Sequence, residues 1–213
     1  MPFNTDLTSF KSFVGTWMDV TLASGIVDTA ITAAEKRIQR GDGSPTEPGL
    51  RVREMETAFA WTITGSGTVS LPSDYLELKS AYINTSPVQK LERRNPDFIY
   101  TAYPTRSSAG KPKFIAREAS NFIFGPYPDS QYVVRGVYYK TLPSMVSDAT
   151  INGVFTAYPD LFLKGAVLEA EKALGRESRT PAWEPDFKRQ LQAANNQDEA
   201  EEFSGSSLRV TAS

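Results

Sequence analysis

The chain has 213 residues, of which 40% are hydrophobic, 23% charged and 11% aromatic, the proportions of a folded protein long enough to bury its own core. It contains neither cysteine nor histidine, which excludes disulfides, thiolate nucleophiles, zinc-sulfur sites, the Ser-His-Asp and Cys-His triads and the commonest general base near neutral pH. With 23 basic and 25 acidic residues the formal charge is -2, so no whole-chain field draws the protein to nucleic acid or to an anionic membrane.

The opening residues, Met1 to Asp6, lack the basic region and apolar run of a signal peptide. No stretch approaches the roughly 20 apolar residues of a membrane span. A soluble protein made in a cytoplasm is expected.

Leu7, Phe10, Val14 and Trp17 recur at three- and four-residue spacing after Asp6, which predicts a first helix over about 6–21. Val27, Ala30, Ile31, Ala34 and Ile38 repeat the spacing and predict a second helix over about 26–40, packed on the first. Gly41 to Gly49 carries three glycines and two prolines in nine residues, so the helix stops there in an exposed loop or arm. The period then changes. Arg51–Trp61, Gly67–Leu71, Leu76–Ile83, Phe114–Arg117, Asn121–Phe124 and Tyr132–Tyr139 are short, rich in Val, Ile, Tyr and Phe, and bounded by turn residues, which predicts an antiparallel sheet or small sandwich. Asn95 to Tyr103, with Pro96 at a permitted first-turn position, reads as a short helix across it. Helical spacing returns at Pro159-Asp160 with Leu163, Ala166, Val167, Ala170 and Leu174, ends at Gly175, and resumes at Thr180-Pro181 with Trp183, Phe187, Leu191 and Ala194.

The fold class expected is therefore α+β. A four-helix bundle formed by the N- and C-terminal helix pairs (1–50 and 146–202) holds an inserted antiparallel β subdomain (51–145), and a C-terminal arm follows (203–213). Trp17, Ile31, Leu163 and Phe187 are expected to share one core.

Few residues carry chemistry. Glu54 and Glu56 fall two apart on a predicted strand, on one face and within the range of paired acid-base carboxylates, although exposed strands commonly carry such pairs. Gly65-Ser66-Gly67-Thr68 has the glycines of a phosphate cradle but no following helix or Lys-Ser/Thr pair, and reads as a hairpin turn. Asp42-Gly43-Ser44 and Asp129-Ser130 lack the alternating oxygen ligands of a calcium loop and read as turns. Between residues 90 and 118, Lys90, Arg93, Arg94, Arg106, Lys111, Lys113 and Arg117 outnumber acidic residues seven to three, with Tyr100, Tyr103 and Phe114 interleaved. Such a surface serves a protein interface, nucleic acid or plain solvation. Phe203, Leu208, Arg209 and Val210 form either a frayed tail or an arm that adds a strand to a neighbouring subunit.

Several motifs in order resemble one family: Ala33-Ala34-Glu35-Lys36-Arg37-Ile38, Leu50-Arg51-Val52-Arg53-Glu54-Met55-Glu56, Val69-Ser70-Leu71-Pro72-Ser73-Asp74-Tyr75-Leu76-Glu77-Leu78, Phe122-Ile123-Phe124-Gly125-Pro126-Tyr127-Pro128, Tyr138-Tyr139-Lys140, Tyr158-Pro159-Asp160-Leu161 and Phe203-Ser204-Gly205. Together they resemble the head-to-tail adaptor (connector) proteins of short-tailed double-stranded DNA bacteriophages, the group that includes tail tubular protein A. The Gly41–Gly49 loop reads as an insertion relative to that family. The resemblance implies a structural virion protein at the head-tail interface: a dodecameric ring between the portal and the tail nozzle, with genomic DNA passing through, no catalytic residues, no cofactor and no membrane partner. Within it, Arg93, Arg94, Arg106, Lys111, Lys113, Phe203, Leu208, Arg209 and Val210 are the candidate contacts. A second reading is a carbohydrate-binding or hydrolytic tail module in which Tyr100, Tyr103, Tyr138 and Tyr139 stack on sugar and a carboxylate pair acts.

Overall fold

A computed structural model describes residues 6–19, 21–44, 47–105 and 109–203. Among these residues the chain forms seven α-helices and eight strands, and it divides into two units, residues 1–55 with 142–213 and residues 56–141.

The first unit is helical. α1 (Leu7–Met18) starts where the Asp6 carboxylate accepts the Ser9 N–H, and ends at Asp19 in a left-handed conformation, earlier than the sequence spacing predicts. Its buried stripe is Phe10, Val14 and Met18. Trp17 lies beside this stripe, 47% exposed, so it is not part of the core expected for it. A strict four-residue step from Phe10 leads to Met18 and passes Trp17 by. α2 (Ser24–Arg40) buries Val27, Ala30, Ile31, Ala34 and Ile38, the spacing read from the sequence.

Two short helices, α4 (Met145–Asp148) and α5 (Gly153–Ala157), precede α6 (Pro159–Ala173). They escape sequence reading because neither is long enough to show a period. α5 is started by the Asn152 side chain, which accepts the Phe155 N–H at 2.8 Å. α6 is followed by Gly175, whose φ of +68° suits glycine. α7 (Thr180–Phe203) then runs past Pro185 to the limit of the described residues.

α6 packs on α1, α2 and α7. At Gly165 the backbones come so close that a Cβ there would meet Ala34 of α2 and Phe187 of α7, each at 3.1 Å. Ile31, Leu163 and Phe187 are buried. Phe155 bridges two other rings edge-on, Phe10 at 4.8 Å and Phe162 at 5.4 Å.

The second unit holds two four-stranded sheets, ordered β1-β8-β3-β4 and β2-β7-β6-β5. β1 (Glu56–Ile63) and β3 (Tyr75–Ile83) flank β8 (Tyr132–Lys140) as antiparallel neighbours, and β4 (Gln89–Lys90) adds a short edge. In the other sheet β7 (Asn121–Gly125) pairs with β2 (Thr68–Ser70) and β6 (Phe114–Glu118), again antiparallel. β5 (Glu92–Arg93) lies parallel to β6, a departure from the wholly antiparallel expectation. Ile63, Leu78, Ile83, Phe122, Phe124 and Val134, drawn from both sheets, form one core. α3 (Pro96–Ala102) is capped by Asn95 and buries Ile99 in a small second cluster with Ala116 and Ile123.

Two local expectations change. Gly65 to Thr68 is a turn, with Gly67 N–H donating to the Thr64 carbonyl at 2.8 Å, but not a hairpin, because β1 and β2 belong to different sheets. Arg53–Met55 is a 3-10 turn and the strand begins only at Glu56. Glu54 and Glu56 therefore do not alternate along one strand, and Glu56 is paired with Lys79 at 2.7 Å.

Candidate interaction surface

Arg37 on α2 is the hub of the helical unit's polar structure. Its guanidinium donates to both oxygens of Glu47, Nε to Oε1 at 2.5 Å and Nη2 to Oε2 at 2.7 Å, and also reaches Glu169 of α6 at 3.2 Å and Glu184 of α7 at 3.0 Å. It lies 5.0 Å above the Phe187 ring. Lys188 adds contacts to Glu47 at 3.3 Å and Asp42 at 3.4 Å. These partners, the Glu47 hydrogen bonds above all, raise the guanidinium pKa further, and the hydrogen bond from Arg37 holds Glu184 below the usual carboxylate range. The segment predicted as an exposed loop or arm is thus fastened: Glu47 is buried and Gly41 bridges Pro48. Sequence reading places Glu47 among turn residues, and nothing in turn composition signals a buried ion pair 10 positions away.

The chain leaving this loop is held by α7. Asn195 Oδ1 accepts the Arg51 N–H at 2.8 Å and Asp198 Oδ1 accepts the Arg53 N–H at 2.9 Å, while the Arg51 side chain donates to the Gln39 and Leu50 carbonyls. Backbone donors that would otherwise be stranded are satisfied by one helix face.

The basic stretch of the second unit gathers around β5, β6 and α3. Arg94, just after β5, lies over Phe98 of α3 at 5.0 Å and Phe114 of β6 at 5.8 Å, and pairs with Glu92 at 2.6 Å. Arg93 faces Glu77 at 3.9 Å. Parallel pairing sets Arg93 opposite Ile115, so Lys113 stands close to the same sheet edge, exposed. Lys111 donates to Thr85 Oγ1 at 2.5 Å, and Arg117 lies over the Tyr75 ring at 5.4 Å. Tyr100 donates to the Glu118 carboxylate at 2.9 Å, which raises its own pKa. The seven-to-three excess is therefore tempered by local partners. What remains exposed is a mixed surface of Arg93, Arg94, Lys113, Phe98 and Tyr100, the aromatic and arginine composition of protein contact surfaces.

Of the other candidates, Arg106, Leu208, Arg209 and Val210 lie outside the described residues, and Phe203 closes α7. The tyrosines proposed for sugar stacking do not make a common platform. Tyr138 is buried, donates to Asp74 at 2.9 Å and is held at a pKa of about 12 by burial and that bond. Tyr139 is half-buried with Lys79 above its ring. At Asp42, the Ser44 hydroxyl and N–H hydrogen bonds hold the carboxyl down to about 2, the chemistry of a turn. Among the described residues there is no His, Cys, Asp or Glu cluster suited to a metal ion, and no helix is long and apolar enough to cross a membrane.

A helical unit braced by ion pairs and a double-sheeted unit with exposed arginine and aromatic side chains have the composition of a structural interaction protein. The model of the family described as SU10 adaptor protein matches residues 5–211, nearly the whole chain, and the chain belongs to this phage head-to-tail adaptor family. No match is found among curated proteins. Family membership makes it a structural component of a phage virion that acts through other virion proteins.

Proposed function

We propose that this chain is the subunit of a dodecameric ring at the head-tail interface, joining the portal protein to the tail nozzle and forming part of the channel through which genomic DNA passes. The observation that carries the proposal is the family match over residues 5–211. In this reading α1, α2, α6 and α7 act as a four-helix bundle, the β unit is an insertion in it, and residues 203–213 serve as a contact arm. The Arg37 hub supports a rigid frame, since it ties three helices and the 41–49 loop to one guanidinium. Arg93, Arg94, Lys111 and Lys113, with Arg106, supply contacts from the β unit, and Phe203, Leu208, Arg209 and Val210 supply those of the arm. A net charge of -2 suits a channel that must let DNA slide through without holding it. No catalytic step is assigned.

The reading is tested by mixing the purified chain with its phage's portal protein and measuring mass by native mass spectrometry. A portal ring carrying a full complement of this chain is expected. A chain that stays monomeric, with no mass added to the portal, contradicts it.

A further inference from the structure

We propose that a cleft in the helical unit, between the end of α1, the end of α6 and the start of α7, is a receptor for an arginine or lysine side chain of another protein chain. The cleft has a volume of about 380 Å³, and Trp17, Met18, Val167, Glu171, Arg179 and Trp183 line it. That volume falls in the range of about 300 to 1,000 Å³ common for ligand sites. Its two aromatic walls face each other obliquely: the Trp17 and Trp183 ring centroids are 6.4 Å apart at 59°. Trp17 is 47% exposed, an unusual placement for so large an apolar side chain.

The cleft also holds a carboxylate one of whose oxygens lacks a hydrogen-bond donor. Glu171 is only 2% exposed, and its Oε2 has no hydrogen-bond partner among the described residues. The nearby cation, Arg179, stands with Nη1 3.7 Å from Oε1, beyond hydrogen-bond length, and its side chain is 60% exposed. A buried carboxylate oxygen without a donor is costly, and buried polar groups in native proteins are nearly always paired. Two indoles beside one carboxylate form a receptor for an organic cation: the ring faces attract positive charge, and the carboxylate accepts its N–H groups. A metal ion fits poorly, because hard cations require several oxygen ligands and this site offers one carboxylate.

Arg179 already stands beside Oε1 with a side chain 60% exposed, so it competes with an incoming cation for this carboxylate. A protein-borne cation is favoured over a free amine because a single carboxylate binds a free amine weakly, whereas a side chain in a virion assembly arrives at high effective concentration. That last step rests on the adaptor reading. The pocket itself does not.

The test uses the full-length, 15N-labelled chain and three capped amino acids as probes: N-acetyl arginine methylamide, its lysine counterpart and the uncharged norleucine counterpart. The chain has three tryptophans, so the indole N–H resonances of Trp17 and Trp183 report on the cleft, and that of Trp61, stacked on Phe59 at 3.6 Å in the β unit, is the internal control. Saturable shifts of Trp17 and Trp183 with the arginine or lysine probe, with Trp61 unmoved and the norleucine probe silent, are expected. Glu171→Gln should weaken the affinity at least about tenfold, the size of one charge-assisted hydrogen bond, and Arg179→Ala should strengthen it. Should Glu171→Gln not fold, Trp17→Ala removes an exposed wall and should weaken binding read at Trp183. Equal response to norleucine, unchanged affinity in Glu171→Gln or Trp17→Ala, or weaker binding in Arg179→Ala overturns the proposal. Because the readout uses the isolated chain, any of these results leaves the adaptor reading standing.

Discussion

Arg37 and Glu47 meet through two parallel hydrogen bonds of 2.5 and 2.7 Å, and the Glu47 side chain has no exposed surface. An ion pair taken out of water in this way is stable only while both partners are present. Arg37→Met should therefore cost about 3 to 5 kcal/mol of unfolding free energy, because it leaves the Glu47 carboxylate buried with Lys188 alone. Adding Glu47→Gln should recover part of that loss. Urea denaturation of the two variants checks both statements, and a cost below about 1 kcal/mol for Arg37→Met would show the pair to be effectively solvated.

Gly41 sits at φ +70°, and a Cβ there would collide with the Glu47 carbonyl oxygen. The conformation and the close approach both require glycine. Gly41→Ala is expected to lower stability by about 1 to 3 kcal/mol, while Gly43→Ala, at a φ of +84° but with open space around it, should cost less. Thermal melts of the two variants side by side decide this, and equal melting temperatures contradict the fastening of the loop.

Glu35 of α2 is buried and accepts the Met145 N–H at 2.7 Å and the Ser144 hydroxyl at 2.9 Å. Burial outweighs these hydrogen bonds and raises its pKa. Above its ordinary carboxylate value the folded chain then holds the proton more tightly than the unfolded chain does. The Glu35 contribution to stability accordingly falls as pH rises from the ordinary carboxylate value through the raised one, and levels off above it. The stability difference between the natural chain and Glu35→Gln, followed by denaturation from pH 4 to 8, should change in that direction. A flat or opposite difference refutes the assignment.

Much of the fold was legible in the sequence where one side chain period persists. The stripes of α2 and α6 and the six longer strands were readable because burial on one face imposes a period of 3.6 or 2. Trp17 was misplaced because the apolar spacing fits both Trp17 and its neighbour Met18, and it is Met18, four residues after Val14, that is buried. The parallel β5 and the two-sheet turn at Gly65 to Thr68 are matters of strand partnership, which local composition does not encode. Glu47 was invisible for the same reason: its meaning lies in Arg37, Glu184 and Lys188, which converge only on folding. The basic stretch was legible as a charge excess, but the pairing of Arg93 with Glu77 was not, since Glu77 comes from another strand.

Arg93 and Arg94 are exposed and make surface contacts only, so Arg93→Glu with Arg94→Glu should change unfolding free energy by about 1 kcal/mol or less. If their surface is a virion contact, the same variant should lose in direct competition with the natural chain for incorporation into particles. Equal incorporation would assign the surface to solvent.

The most direct measurement is cryo-electron microscopy of phage particles in which this chain carries a compact N-terminal fusion. A ring of added density at the junction of head and tail is expected, with one added feature for each subunit of the ring. Added density elsewhere on the particle, or particles that contain no copy of the chain, would contradict it.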